Sequence, residues 1–135
     1  MRDMLIAVLR VWSPRFDVDP FLAAHPSIEP DTVWHLGEPR AVGRVRDSSG
    51  FNLSVPVEAR NWGELLERSM TFLDGIRPVL IAARELGLVP QLDFGIDVGT
   101  EEAFIRSCTF SPEQLRALAE FGVEVCVSAY PTSRH

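Results

Sequence analysis

The strongest candidate for chemistry in this sequence is the segment Trp34-His35-Leu36-Gly37-Glu38, where an aromatic ring, an imidazole and a carboxylate fall close together. A histidine hydrogen-bonded to a carboxylate is a typical general base. One hypothesis is therefore a small enzyme or ligand-binding domain with a pocket near Trp34, His35 and Glu38. The structural alternative packs Trp34 into the core and leaves His35 and Glu38 at the end of a strand.

A second candidate is acidic. Asp93 and Asp97 lie on the polar side of an alternating segment, and Glu101 and Glu102 follow shortly after it. At about 3.3 Å per residue the two aspartates are roughly 13 Å apart in a strand, farther than the about 5 to 9.5 Å between glycosidase carboxylates. We therefore expect no catalytic pair. The four carboxylates instead predict an exposed surface that steers a basic protein partner, such as a toxin; the alternative is an ordinary solubilising face.

Residue types exclude several other kinds of site. A phosphate-binding loop needs clustered glycines, with a following Lys in the Walker type, but the glycines are dispersed and the chain has no Lys. Metal sites need Cys or His ligands at short spacing, whereas Cys108, Cys126, His25, His35 and His135 are scattered. We expect no recognisable catalytic residue, no metal site and no cofactor.

The charge balance disfavours a nucleic-acid partner. All 13 cationic side chains are Arg, they are scattered, and the net charge is −6, whereas affinity for phosphate needs clustered positive charge. No segment approaches the roughly 20 apolar residues that span a bilayer, and the N-terminus lacks the features of a signal peptide. These two features predict a cytoplasmic protein that binds no membrane. Arg in place of Lys is typical of a GC-rich genome, so we expect a bacterial source.

Periodicity predicts the elements that position these residues. With 135 residues the chain has the size of one domain, residues 1–135. Apolar or alternating segments predict strands. These segments are 5–12, 32–36, 41–46, 51–57, 91–98, 103–110 and 123–130.

Capping signals predict the helices. Asn61 with Glu64 resembles a capping box that opens a long amphipathic helix reaching residue 87, and Pro78 should kink it because proline cannot donate to the preceding turn. A short helix follows Asp17, and another begins at Ser111. The fold class is α+β: a mostly antiparallel sheet of five to seven strands, with two main helices packed on one face, the long one kinked near Pro78.

Several large apolar side chains are expected in the core of this fold. They are Trp12, Trp62, Leu65, Leu73, Phe94 and Val125.

The order of these features resembles the small bacterial proteins grouped as domain of unknown function 4279. The resemblance covers nearly the whole chain, through an opening apolar strand, a short helix at Asp17 to Leu22, a Gly37-Glu38 turn, a long helix, an alternating strand, and a closing helix from Ser111 to Leu115 with its strand to Tyr130. It implies the fold already predicted and no established activity.

Some small acidic bacterial proteins neutralise toxins. By analogy we expect a non-enzymatic protein-interaction module, of which a toxin-neutralising immunity protein is one form. The small enzyme or ligand-binding domain remains the alternative.

Overall fold

The computed structural model describes residues 5–56, 58–98 and 107–131. The elements, in chain order, are β1 (Leu5–Ser13), α1 (Val18–Ala24), β2 (Thr32–Trp34), β3 (Ser49–Ser54), α2 (Trp62–Gly75), α3 (Arg77–Glu85), β4 (Gln91–Val98), α4 (Pro112–Phe121) and β5 (Glu124–Pro131). The strands form one sheet in the order β2-β3-β1-β4-β5. The fold is therefore α+β.

The helix ends follow their sequence signals. The Asn61 side chain accepts a hydrogen bond from the Glu64 amide at 2.9 Å and so begins α2. Ser111 and Gln114 form a reciprocal capping box at the start of α4. Gly122 ends that helix in the left-handed conformation at φ 76°, which glycine adopts without a steric cost.

The prediction of one long helix kinked near Pro78 is wrong, because two separate helices occupy this region. Ile76 lies between α2 and α3 with non-helical angles, φ −117° and ψ 26°. Pro78 falls in the first turn of α3, where a missing amide donor has no intrahelical partner to lose. The proline therefore starts a new helix instead of bending an existing one.

The prediction of a mostly antiparallel sheet of five to seven strands is also corrected. The sheet is a mixed one of five described strands, in which β5 runs parallel to β4. The helix α4 forms the crossover that a parallel pair requires. Segment 41–46 contributes only the isolated bridge between Pro39 and Val45. Residues 107–110 are not a strand, and residues 103–106 lie outside the described part of the chain.

The core lies between one face of the sheet and the helices. Leu9 and Phe51 on the strands and Leu65 and Leu73 on α2 are fully buried. Phe94, at the centre of β4, is buried against the rings of Trp62 and Phe110. Val125 on the edge strand β5 is 38% exposed, so its predicted burial is wrong.

The opposite face of the sheet is covered by none of the described helices. In β1 the residues that alternate with the buried ones point to this face, and two of them, Ile6 and Trp12, are exposed. Tyr130 on β5 is exposed on the same face. We call this side of the sheet the open face. Within the described ranges, no helix combines the length and apolarity needed to cross a bilayer.

Candidate functional site

Two tryptophans meet on the open face at Gly50. The register of the sheet places Trp12 of β1 on one side of Gly50 and Trp34 of β2 on the other. A Cβ on Gly50 would lie 2.6 Å from Trp34 Cζ2 and 2.7 Å from Trp12 Cβ. The missing side chain therefore lets the Trp34 indole lie against the sheet beside Trp12.

The loop between β2 and β3 carries two arginines to the rim of this aromatic pair. Its arms are joined by the Gly37 amide, which donates to the Arg46 carbonyl at 2.8 Å, and by the Arg46 amide, which donates to the Glu38 carbonyl at 2.7 Å. Closer to the tip, the Arg40 amide donates to the Arg44 carbonyl at 2.8 Å. We call residues 37–46 the arginine hairpin.

Trp34 and Arg46 hold each other in place. The Arg46 guanidinium lies 5.2 Å from the centre of the Trp34 ring, within the range of a cation–π contact. The Trp34 indole nitrogen donates to the Ser48 hydroxyl at 3.2 Å. Arg46 is thus positioned before any ligand arrives, which lowers the entropy lost on binding.

These residues line a groove of about 480 Å³ on the open face. Its lining includes Arg10, Arg40 and Arg46, and Asp47 is the one carboxylate among the lining residues. Arg10 is paired with Asp93, its Nη2 lying 3.3 Å from Oδ2. Arg40 and Arg46 form no ion pair with any described carboxylate. The groove is therefore locally cationic although the chain carries a net charge of −6.

The groove also contains an unsatisfied acceptor. Asn52 Oδ1 is buried and has no hydrogen-bond partner among the described residues, and Asn52 is one of the lining residues. Leaving a buried polar atom unpaired costs about 1 to 3 kcal/mol. Because Oδ1 has almost no accessible surface, a ligand in the groove reaches it only if the Asn52 side chain moves.

The three residues of the predicted pocket do not line one site in the structure. Trp34 lines the groove, whereas His35 and Glu38 do not. His35 lies instead between two carboxylates, with Nε2 2.9 Å from Asp19 of α1 and Nδ1 2.8 Å from Glu38. Because both ring nitrogens face a carboxylate, this arrangement favours the doubly protonated ring and leaves no lone pair for a general base. The contact ties α1 to the arginine hairpin.

The two carboxylates raise the pKa of the His35 imidazole above its ordinary value; the hydrogen bond that the ring donates to Asp19 contributes most and the one to Glu38 next. The stability that this contact provides is fully present below about pH 6.5, the ordinary value. It is lost as the pH rises through the higher pKa of the folded state. The three side chains are solvent-exposed, so solvent screening keeps this contribution to stability small.

We expect an NMR titration of His35 to show a midpoint above about 6.5. Asp19→Asn should lower the midpoint, and Glu38→Gln should lower it by less, because each replaces a negatively charged acceptor of an imidazolium proton by a neutral one. Asp17→Asn is the matched control, since Asp17 makes no side-chain cap bond to α1. A midpoint that Asp19→Asn leaves unchanged would contradict the described contact.

The predicted acidic surface is not assembled as expected. Asp93 is buried at 8% exposure, accepts a hydrogen bond from the Ser128 hydroxyl at 2.7 Å and pairs with Arg10, so the prediction that it lies in solvent is wrong. Asp97 is half-buried. Glu101 and Glu102 lie outside the described residues. That these four side chains bind a partner stays a prediction.

Sequence reasoning missed most of the groove. Trp12 is predicted in the core, yet it is 38% exposed on the open face. One signal could have placed it: Arg10, two positions earlier in β1, must share its side of the strand. Nothing in the spacing of Arg40, Arg46 and Asn52 indicates that a hairpin and a neighbouring strand bring them together.

In the part of the chain that the structure describes, no group of three His, Cys, Asp or Glu side chains could hold a metal ion. Asp19 and Glu38, for example, approach opposite edges of the His35 ring and do not converge on one point. Comparisons of the chain with protein-family models, with curated proteins and with solved structures find no match.

Proposed function

We propose that this chain is a non-enzymatic protein-interaction module that binds its partner on the open face of the sheet. The observation that carries the proposal is the groove, in which Arg40 and Arg46 lack described carboxylate partners beside the exposed Trp12. Tryptophan and arginine are the side chains most enriched where partners bind tightly. A partner with acidic groups complements these arginines.

Exposed apolar side chains elsewhere on the open face support a partner larger than a small molecule. Ile6 and Tyr130 meet beside Gly95, at 44% and 41% exposure, on a part of this face outside the groove. At the tip of the arginine hairpin Val42 is 97% exposed. Its φ of 38° is left-handed, which is unfavourable for a β-branched residue. Such strain is typical of segments retained for function.

A toxin held by its immunity protein is one complex of this kind, and we carry that role forward as the narrower form of the proposal. The analogy with small acidic bacterial proteins that neutralise toxins supports it. A toxin gene directly upstream would favour this role. A metabolic operon would instead favour binding of a small ligand.

The size of the groove favours one second candidate, a ligand-binding domain. Its volume of about 480 Å³ falls within the roughly 300 to 1,000 Å³ of small-molecule sites. For this candidate Trp34 lines the pocket, whereas His35 and Glu38 do not. Catalysis by His35 gains no support, because Asp19 and Glu38 hold both of its ring nitrogens.

The experiment that tests the proposed function is the selection of peptide ligands from a random library, followed by measurement of their affinity for variants of the open face. The natural partner need not be identified before the selection begins.

A further inference from the structure

We propose that the groove recognises an acidic peptide segment of the partner, taking its carboxylates on Arg40 and Arg46. This inference deepens the proposed function and rests on it. It assigns the chemistry of the ligand, where the proposed function assigns only the surface.

The charge of the groove is the first argument. Arg40 and Arg46 come from the two arms of the arginine hairpin and lack carboxylate partners among the described residues, while Asp93 holds Arg10 at the floor. A guanidinium presents a planar fork of N–H donors that fits a carboxylate through two parallel bonds. Two such groups on one rim match carboxylates repeated along a chain.

The aromatic floor is the second argument. Trp12 lines the groove and is 38% exposed, so it offers apolar contact to the aliphatic stems of Glu side chains, which an inorganic anion lacks. Single-stranded nucleic acid could also use cations beside an aromatic ring. It is disfavoured because its bases bind by stacking on ring faces, and the Arg46 guanidinium already occupies one face of the Trp34 ring.

The test is an NMR titration of the protein with an acetylated, amidated tetraglutamate peptide at low salt. We expect the indole signals of Trp12 and Trp34 to shift and that of Trp62 to stay. Trp62 serves as the internal reference because its indole donates to the Thr109 carbonyl on the other side of the sheet. The neutral tetraglutamine peptide should bind at least about tenfold more weakly, since it lacks the charge-assisted bonds.

Arg40→Gln and Arg46→Gln should each weaken binding of the tetraglutamate peptide about tenfold. Arg60→Gln is the matched control: Arg60 is 90% exposed, pairs with Glu64 and does not line the groove, so affinity should be unchanged. Two arginine variants are used because Arg46 also packs on Trp34. A loss confined to Arg46→Gln, with Arg40→Gln binding like the wild type, would overturn the two-arginine assignment.

Four further outcomes would overturn the inference: no shift with tetraglutamate, equal binding of tetraglutamine, equal binding of glutarate or inorganic phosphate, and tighter binding of a hexathymidylate strand. Equal binding of glutarate or phosphate would identify a site for a free anion. Tighter binding of hexathymidylate would identify a nucleic-acid site. If library-selected peptides bind the open face while tetraglutamate does not, the inference of an acidic peptide ligand is wrong and the proposed function is retained.

Discussion

A Phe94→Ala variant is expected to lose about 3 to 5 kcal/mol of unfolding free energy. Phe94 has no exposed surface, and its ring centroid lies 4.8 Å from that of Trp62 and 6.0 Å from that of Phe110, both in edge-to-face geometry. Truncation removes the favourable transfer free energy of the ring and leaves a cavity between β4 and α2. Urea unfolding of the two proteins, followed by far-UV circular dichroism, measures the difference.

Ile81→Ala is the control for this loss, because Ile81 on α3 is 54% exposed and truncation creates no internal cavity. It should cost less than about 1 kcal/mol. If Phe94→Ala cost no more than Ile81→Ala, the described packing between β4 and the helices would be wrong.

A Gly50→Ala variant should also be strongly destabilised, by about 3 kcal/mol. The added methyl group would overlap the carbonyl oxygen of Val11 and lie 2.6 Å from Trp34 Cζ2. A flexible side chain could move aside, but the Val11 carbonyl belongs to the central strand β1 and its displacement would disturb the sheet. Trp34 would be pushed away from Ser48 at the same time.

Gly63→Ala provides the matched glycine control. Its methyl group would meet Asn61 Oδ1 at an ordinary 3.5 Å inside the first turn of α2. Alanine is favoured over glycine in a helix, so stability should be unchanged or rise by up to about 1 kcal/mol. Equal stability of the Gly50→Ala and wild-type proteins in chemical denaturation would show that the tryptophans do not meet on Gly50.

Local signals were sufficient to predict most of the elements. Alternation of polar and apolar residues placed β4, and the capping residues Asn61 and Ser111 placed the starts of α2 and α4. These signals act over a few residues and do not depend on the rest of the fold. Pro78 shows their limit, because a proline inside an apolar repeat can either kink a helix or begin the next one.

The direction of β5 and the position of the groove depend on long-range contacts. A strand that follows a helix can pair either way, and the pairing of Leu92 with Val125 and of Phe94 with Val127 fixes it as parallel. The groove brings Arg10 of β1, Asn52 of β3 and Arg46 of the arginine hairpin together. The spacing of these three residues in the sequence does not indicate that they lie together.

The continuous apolar run of β1 concealed which side chains face the helices. Leu5, Leu9 and Val11 are buried while Ile6 and Trp12 are exposed, although all five are hydrophobic. Likewise Asp93 alternates as a surface residue should, but Arg10 and Ser128 on the two neighbouring strands satisfy it and the site is buried. Partners supplied by other strands decide such cases.

The most direct test of the claim that the open face binds a partner is the affinity of library-selected peptides for two double variants. Trp12→Ser combined with Arg46→Gln alters the groove, whereas Ile81→Ser combined with Leu86→Ser alters an exposed apolar patch at α3. We expect the groove variant to bind the selected peptides at least about tenfold more weakly and the α3 variant to bind them like the wild type. Peptides that lose affinity only for the α3 variant, or a library that yields no ligand for the wild-type protein, would contradict the claim.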